Sequence, residues 1–241
     1  MSKPTKADPS QIDWSLKAYK RFNDGLILEI VGEAMCSRSK VNVLSFPEKQ
    51  WLWEKSMLAQ FSKGWHFTGV ECDKKVFPKM QAEAELLQVL YPKCTFEAIH
   101  KDVSKLLDTD HTQRDVIYLD FMGTWAEPKR QILTQICEEN ILAKNGFLIM
   151  TLGLTRGHTS TEELQEYIRG DHDFLVLDSL PKSHNVHGGT HYKTRGIVGW
   201  VSMLAENYGQ KWTPQLCRIY YNLSEKSSPK PEVLIILQRT K

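Results

Sequence analysis

Apolar residues recur along this chain in short blocks whose period switches between helical and extended, and the order of the switches is informative. From Asp13 to about Met35, the positions Trp14, Leu16, Tyr19, Phe22, Leu26, Ile30 and Ala34 follow roughly helical spacing. Asn23-Asp24-Gly25 is a candidate break between two helices. The next block, Val41-Asn42-Val43-Leu44-Ser45-Phe46, is short and apolar, ends at Pro47, and predicts a buried strand. Residues 48–61 predict a helix with Trp51, Leu52, Met57 and Leu58 inward. His66–Glu71 predicts a second strand ending on an acid, and Asp73 can cap a helix that stops before Pro92.

The alternation continues to the end. Thr95–His100 and Val116–Asp120 predict two further strands, the latter again ending on an acid. A helix over 127–142 has Pro128 in its first turn and closes around Asn145-Gly146. Phe147–Leu152 predicts a fifth strand. Thr159 or Ser160 can cap a helix to Ile168, Phe174–Leu177 is strand-like, and Gly196–Tyr208 is helical. Two alternating runs, Cys217–Leu223 and Glu232–Gln238, predict a terminal β-hairpin. Strands separated by helices imply parallel pairing, because a parallel connection needs a crossover. The expected class is α/β: a doubly wound, mostly parallel seven-stranded sheet with helices on both faces and a C-terminal antiparallel hairpin. The expected organisation is a loose tail over 1–10, a helical segment over 11–37, and one domain over 38–241.

Composition changes this picture little. With 241 residues, 41% of them hydrophobic, the chain can bury a core without disulfides. A net charge of +2 gives no global field, so any anion site is a local patch. Five cysteines, widely spaced and without C-x-x-C, indicate reduced packed thiols in a cytoplasmic protein. The first residues lack an apolar core and no stretch approaches about 18 continuous apolar residues, so neither export nor a membrane span is expected.

In open α/β sheets a ligand binds beyond the carboxyl ends of the strands. Those ends carry Ser45-Phe46-Pro47, Glu71, Lys101-Asp102 and Asp120-Phe121-Met122-Gly123. Glu71 lies 26 residues beyond Ser45, near the spacing at which nucleotide-binding domains place a ribose acid. It reads equally as a solvated acid opening a helix. Asp102 can meet an adenine amino group or cap a helix.

On FTGVECD, HKDVSKLL, YLDFMGTW and the terminal hairpin, residues 38–240 resemble the class I S-adenosylmethionine-dependent methyltransferases. The resemblance implies S-adenosylmethionine as cofactor, with Glu71 on the ribose, Asp102 beside the adenine and Asp120 facing the methyl group. That family has a glycine-rich loop after its first strand. Here VNVLSFPEKQWLWEK contains no glycine. Either the loop is rebuilt, with Ser45, Phe46, Pro47 and Glu48 at the cofactor's methionine end, or the fold serves binding alone.

Asp120 can accept a hydrogen bond from an exocyclic amine and so act as the catalytic residue. Phe121, Met122 and Trp125 offer a flat apolar face, which for Phe121 and Met122 reads equally as core; Trp125, in a loop, reads as a surface residue. No cysteine follows a proline at this strand end, which argues against cytosine C5 methylation through a covalent intermediate. The segment 180–195 gathers Lys182, His184, His187, His191, Tyr192, Lys193 and Arg195 around two glycines. Its H-x₂-H-x₃-H spacing is no established zinc pattern, so no metal is assigned. The segment reads either as a solvated polar loop or as a substrate loop suited to phosphate contact, with Lys182, His187, Tyr192, Lys193 and Arg195 as substrate residues. Two functions follow: a methyltransferase with nucleic acid, RNA or DNA, as leading acceptor through an amino group of a base and a small molecule or protein next, or a catalytically inactive module that binds nucleic acid or protein. A nicotinamide dehydrogenase fits less well, since it also requires the glycines.

Overall fold

The computed structural model describes residues 18–47, 49–61, 64–154, 164, 167, 176–178, 189–222 and 230–241. The chain divides into two compact units: residues 1–40 with 46–102, and residues 41–45 with 103–241.

The first unit opens with helix α1 (Ala18–Ile27), which passes through a π-helical turn (Leu28–Gly32) into a single turn, α2 (Glu33–Met35). The expected break at Asn23-Asp24-Gly25 does not occur; all three lie inside α1. The buried face also differs from the expected stripe. Ile27, Leu28, Val31 and Met35 are buried with Asn23 and Asp24, whereas Phe22 is exposed. Both residue sets satisfy helical spacing, so periodicity could not choose between them. Helix α3 (Leu52–Gln60) leads into β2 (Gly64–Glu71), and helix α4 (Phe77–Leu90) into β3 (Thr95–His100). Strands β2 and β3 pair in parallel from His66↔Thr95 to Glu71↔His100. Helix α4 begins four residues later than Asp73, although Asp73 does organise the entry: its Oδ1 accepts Lys75 N–H at 2.7 Å.

The second unit contains β1 (Lys40–Ser45, Val41 onward), α5 (Val103–Leu107), β4 (Arg114–Thr124), α6 (Glu127–Glu138), β5 (Leu142–Gly153), β6 (Val176–Asp178), α7 (Gly189–Asn207), β7 (Trp212–Asn222) and β8 (Lys230–Arg239). Its strand order is β1-β4-β5-β8-β7-β6. The β1–β4, β4–β5 and β6–β7 pairs are parallel, and β8 runs antiparallel to both β5 and β7. The described residues thus hold eight strands, because the short strand-like run near Leu177 does pair, on β7. The closing hairpin is therefore flanked by β6 and does not itself form the edge.

Central strands of this unit read as near-continuous apolar runs because both faces are covered. Leu44, Ile117, Leu148 and Leu237 follow one another across β1, β4, β5 and β8, all at 1% exposure or less. Helix α6 ends at Glu138, earlier than expected, because Asn140 takes the left-handed conformation (φ 55°) that stops a helix. Asn145-Gly146, read as the helix end, instead lies inside β5, where the β4–β5 register shifts between Arg114 and Val116. No helix among the described residues is long and apolar enough to cross a membrane.

Candidate functional site

In the first unit, the carboxyl ends of β2 and β3 bring three acids together. Register places Glu71 opposite His100, and Lys101 N–H extends the pairing to Glu71 O at 3.2 Å. Glu71 Oε1 accepts Asp73 N–H at 2.7 Å, which turns the half-buried carboxylate back over its own strand end. Among the described residues Oε2 receives no hydrogen bond, so one carboxylate oxygen stays available to a hydroxyl pair. Asp102 is exposed two residues beyond His100. Cys72 follows Glu71 and is exposed, yet partial desolvation, then the charges of Glu71 and Asp102, push its thiol pKa up. His100 adds a ring stacked on Phe77 at 4.8 Å between centroids, with Nε2 3.3 Å from Cys72 O.

The glycine-free segment has a definite structure. Pro47 is buried, Phe46 half-buried, and Glu48 lies outside the described residues. Trp51 N–H donates to Pro47 O at 3.0 Å, and Trp51 itself adopts φ 50°, ψ 45°, which delays α3 to Leu52. A left-handed conformation is uncommon for a bulky side chain and has a conformational cost. Burial offsets it: Trp51 is 0% exposed, its Nε1–H donates to Met80 O at 2.9 Å, and its ring meets Phe96 edge-on at 5.9 Å. The space comes from Gly69 in β2. A Cβ there would stand 2.5 Å from Trp51 Cη2 and 2.6 Å from Pro47 Cγ. The close approach that a glycine loop would provide is made here by a glycine on the strand beneath, with indole and pyrrolidine rings above it.

In the second unit, Ser45 ends β1 fully buried and opposite Tyr118. Asp120, half-buried near the end of β4, faces Thr151 of β5, whose hydroxyl donates to Asp120 Oδ1. Beyond Asp120 the register shifts, and Gly123 takes φ 78°. A Cβ on Gly153 would lie 3.3 Å from the Gly123 carbonyl, so two glycines allow the ends of β4 and β5 to converge.

Phe121 is 8% exposed, and Lys129 Nζ lies 5.7 Å from its ring centroid, within cation–π range. The same ammonium donates to Thr124 O. Burial pulls the Lys129 pKa down to about 8. Trp125 is not the surface residue expected; it is 2% exposed, and its ring packs edge-on against Trp200 of α7 at 5.3 Å.

Lys182, His184 and His187 lie outside the described residues. Tyr192, Lys193 and Arg195 do not form a loop, as expected, but stand in the first turns of α7, which begins at Gly189. Tyr192 and Arg195, three apart, share one helix face, with Arg195 exposed. Sequence reasoning missed Lys129, Thr151 and Gly69. Thr151 had a signal, as the one hydroxyl in Phe147–Leu152; Lys129 had none, since a lysine in a first helical turn is ordinarily solvated.

No family model and no curated protein sequence matches this chain. Solved structures do match in fold. A Haemophilus influenzae protein assigned as a methylase aligns over 90% of this chain and 99% of its own, with 13% identity and a TM-score of 0.50. A Listeria monocytogenes protein assigned as a class I S-adenosylmethionine-dependent methyltransferase aligns over 91% of this chain and 59% of its own, at 11% identity and a TM-score of 0.54. A Galdieria sulphuraria protein assigned as a sarcosine dimethylglycine methyltransferase aligns over 98% and 91%, at 10% identity and a TM-score of 0.54. At these identities the likeness concerns the fold.

Proposed function

We propose that this chain, which has the class I methyltransferase fold, transfers a methyl group from S-adenosylmethionine to an amino group, with a nucleic-acid base as acceptor. The observation that supports the reading is the placing of two acids on neighbouring parallel strands, Glu71 at the end of β2 and Asp102 two residues beyond the end of β3. When bound, the cofactor supplies a methyl group activated on a sulfonium. Glu71 Oε2 is available to the ribose hydroxyls, and Asp102 to the adenine amino group. Phe46 and Pro47, of the same unit as Glu71, are the residues proposed for the cofactor's methionine end.

Asp120 is the catalytic residue in this reading. Methyl displacement depends chiefly on alignment and on a free lone pair at the acceptor. A carboxylate accepting the acceptor's N–H orients the amine and raises its electron density. The Thr151 hydroxyl holds Oδ1 and so fixes the carboxylate's rotation. Tyr192, Lys193 and Arg195 supply a ring and two cations for a phosphate backbone, joined in the proposal by Lys182 and His187. Phe121 and Trp125 are buried, so neither offers an open stacking platform.

A second reading, a binding module without transfer, draws on Trp51 and Pro47 packed over Gly69 where the family has an open glycine loop. Methyl transfer separates the two. With radiolabelled S-adenosylmethionine and total RNA or DNA, the intact chain labels nucleic acid, and Asp120→Ala lowers the rate at least about 100-fold, as expected for a group acting on proton and orientation. Absence of label on either polymer, or equal labelling by Asp120→Ala, contradicts the enzymatic reading.

A further inference from the structure

Lys129 is an unusual lysine for its position. Its ammonium is partly desolvated, donates to one backbone carbonyl, Thr124 O, and lies over the Phe121 ring. No carboxylate among the described residues stands within ion-pair distance of it. Burial alone accounts for its depressed pKa, with no neighbouring acid acting on it. A lysine stem is long enough to carry its charge into water, and surface lysines normally do so. Here the charge stays at the carboxyl end of β4, beside Gly123, where a Cβ would stand 4.0 Å from Nζ. Gly123 is exposed, and among the described residues no acid compensates the cation beside it.

We propose that Lys129 forms an anion subsite at the end of β4, which takes a phosphate or carboxylate group of the methyl acceptor. The assignment to the acceptor rests on the methyl-transfer reading; the subsite itself does not. Three features shape it. The Thr124 carbonyl and the Phe121 ring fix the ammonium without neutralising it. Gly123 adds no side chain of its own beside the ammonium. Burial makes the cation costly until an anion pairs with it, so the subsite discriminates against a neutral acceptor.

The test uses the full chain with ¹³Cε-labelled lysine and no cofactor, titrated with inorganic phosphate and, separately, acetate at constant ionic strength. The Lys129 signal is identified by its loss in Lys129→Met, with Lys129→Gln as a second variant if the first fails to fold. The proposal expects saturable binding of at least one anion, and a rise of about 1 pH unit or more in the Lys129 pKa, as an opposite charge at short range produces. Tighter phosphate binding identifies a phosphate ester as the recognised group; tighter acetate binding identifies a carboxylate. A Lys129 signal that shifts no more than the exposed lysines with both anions overturns the proposal. Calorimetry with S-adenosylhomocysteine keeps the two claims apart. Cofactor binding with a silent Lys129 refutes the subsite alone, while anion binding without cofactor binding upholds the subsite and refutes its assignment to a methyl acceptor.

Discussion

At the scale of single residues, charge placement separates Lys129 from the other basic groups. Its pKa near 8 in the folded chain lies below the ordinary value of 10.5, so the folded state binds the proton less well than the unfolded one. This group therefore opposes folding below pH 8, and the penalty fades as pH rises from about 8 to 10.5. Lys129→Met is expected to have a higher urea midpoint than the parent at pH 7, with the difference shrinking or reversing by pH 10.5. A constant difference across that range would show that Lys129 is not held desolvated. Cys137 and Cys217 act in the opposite sense: burial pushes both thiols up to about 12, so their contribution is lost as pH rises from about 9 towards 12. Comparing variant with parent cancels this shared background. None of this was legible in the sequence, because desolvation is a property of neighbours, and Phe121, Thr124 and Lys129 meet only through the turn between β4 and α6.

At the scale of elements, the segment from β1 to α3 shows how a loop without glycine is accommodated. Trp51 takes a left-handed conformation, and Gly69 on β2 gives its indole room. Gly69→Ala would force a methyl group into both Trp51 and Pro47, and should cost about 1–3 kcal/mol as overpacking. In a Trp51→Leu background, where the smaller side chain leaves space, the same substitution should cost less; equal losses in denaturant melts would mean the rings do not oppose the methyl group. The sequence contained both halves of this arrangement, an apolar strand with a central glycine and a tryptophan 18 residues before it. Nothing in their spacing announced that they touch. Elements with a strong period were more legible. Strand β3 has its expected limits, and the apolar runs of β1, β4, β5 and β8 identified buried strands. Boundaries set by single left-handed residues, Trp51 before α3 and Asn140 after α6, were not, since tertiary packing selects which residue adopts that conformation. The N-terminal helix failed for a different reason: two apolar stripes competed, and the buried one included Asn23 and Asp24.

At the scale of the whole molecule, the order of elements predicted an α/β sheet closed by an antiparallel hairpin, its strand-end motifs carried the resemblance to class I methyltransferases, and solved structures at 8–13% identity share that fold. The same order predicted which strand ends carry acids. Glu71 ends β2 and Asp102 follows β3, whereas Asp120 stands four residues inside β4, which runs on to Thr124, and its carboxylate accepts from Thr151. The aromatic face drawn from Trp125 did not survive, because Trp200 on α7 covers it. Fold and proposed function therefore part company at the glycine-free segment after β1, where the proposed cofactor would have to be admitted. Isothermal calorimetry of the full chain with S-adenosylhomocysteine tests this most directly. The account predicts one saturable site, weakened about 10–100-fold by Glu71→Ala, as for the loss of hydrogen bonds to a charged group. No heat of binding in the parent chain, or unchanged affinity in Glu71→Ala, would contradict it.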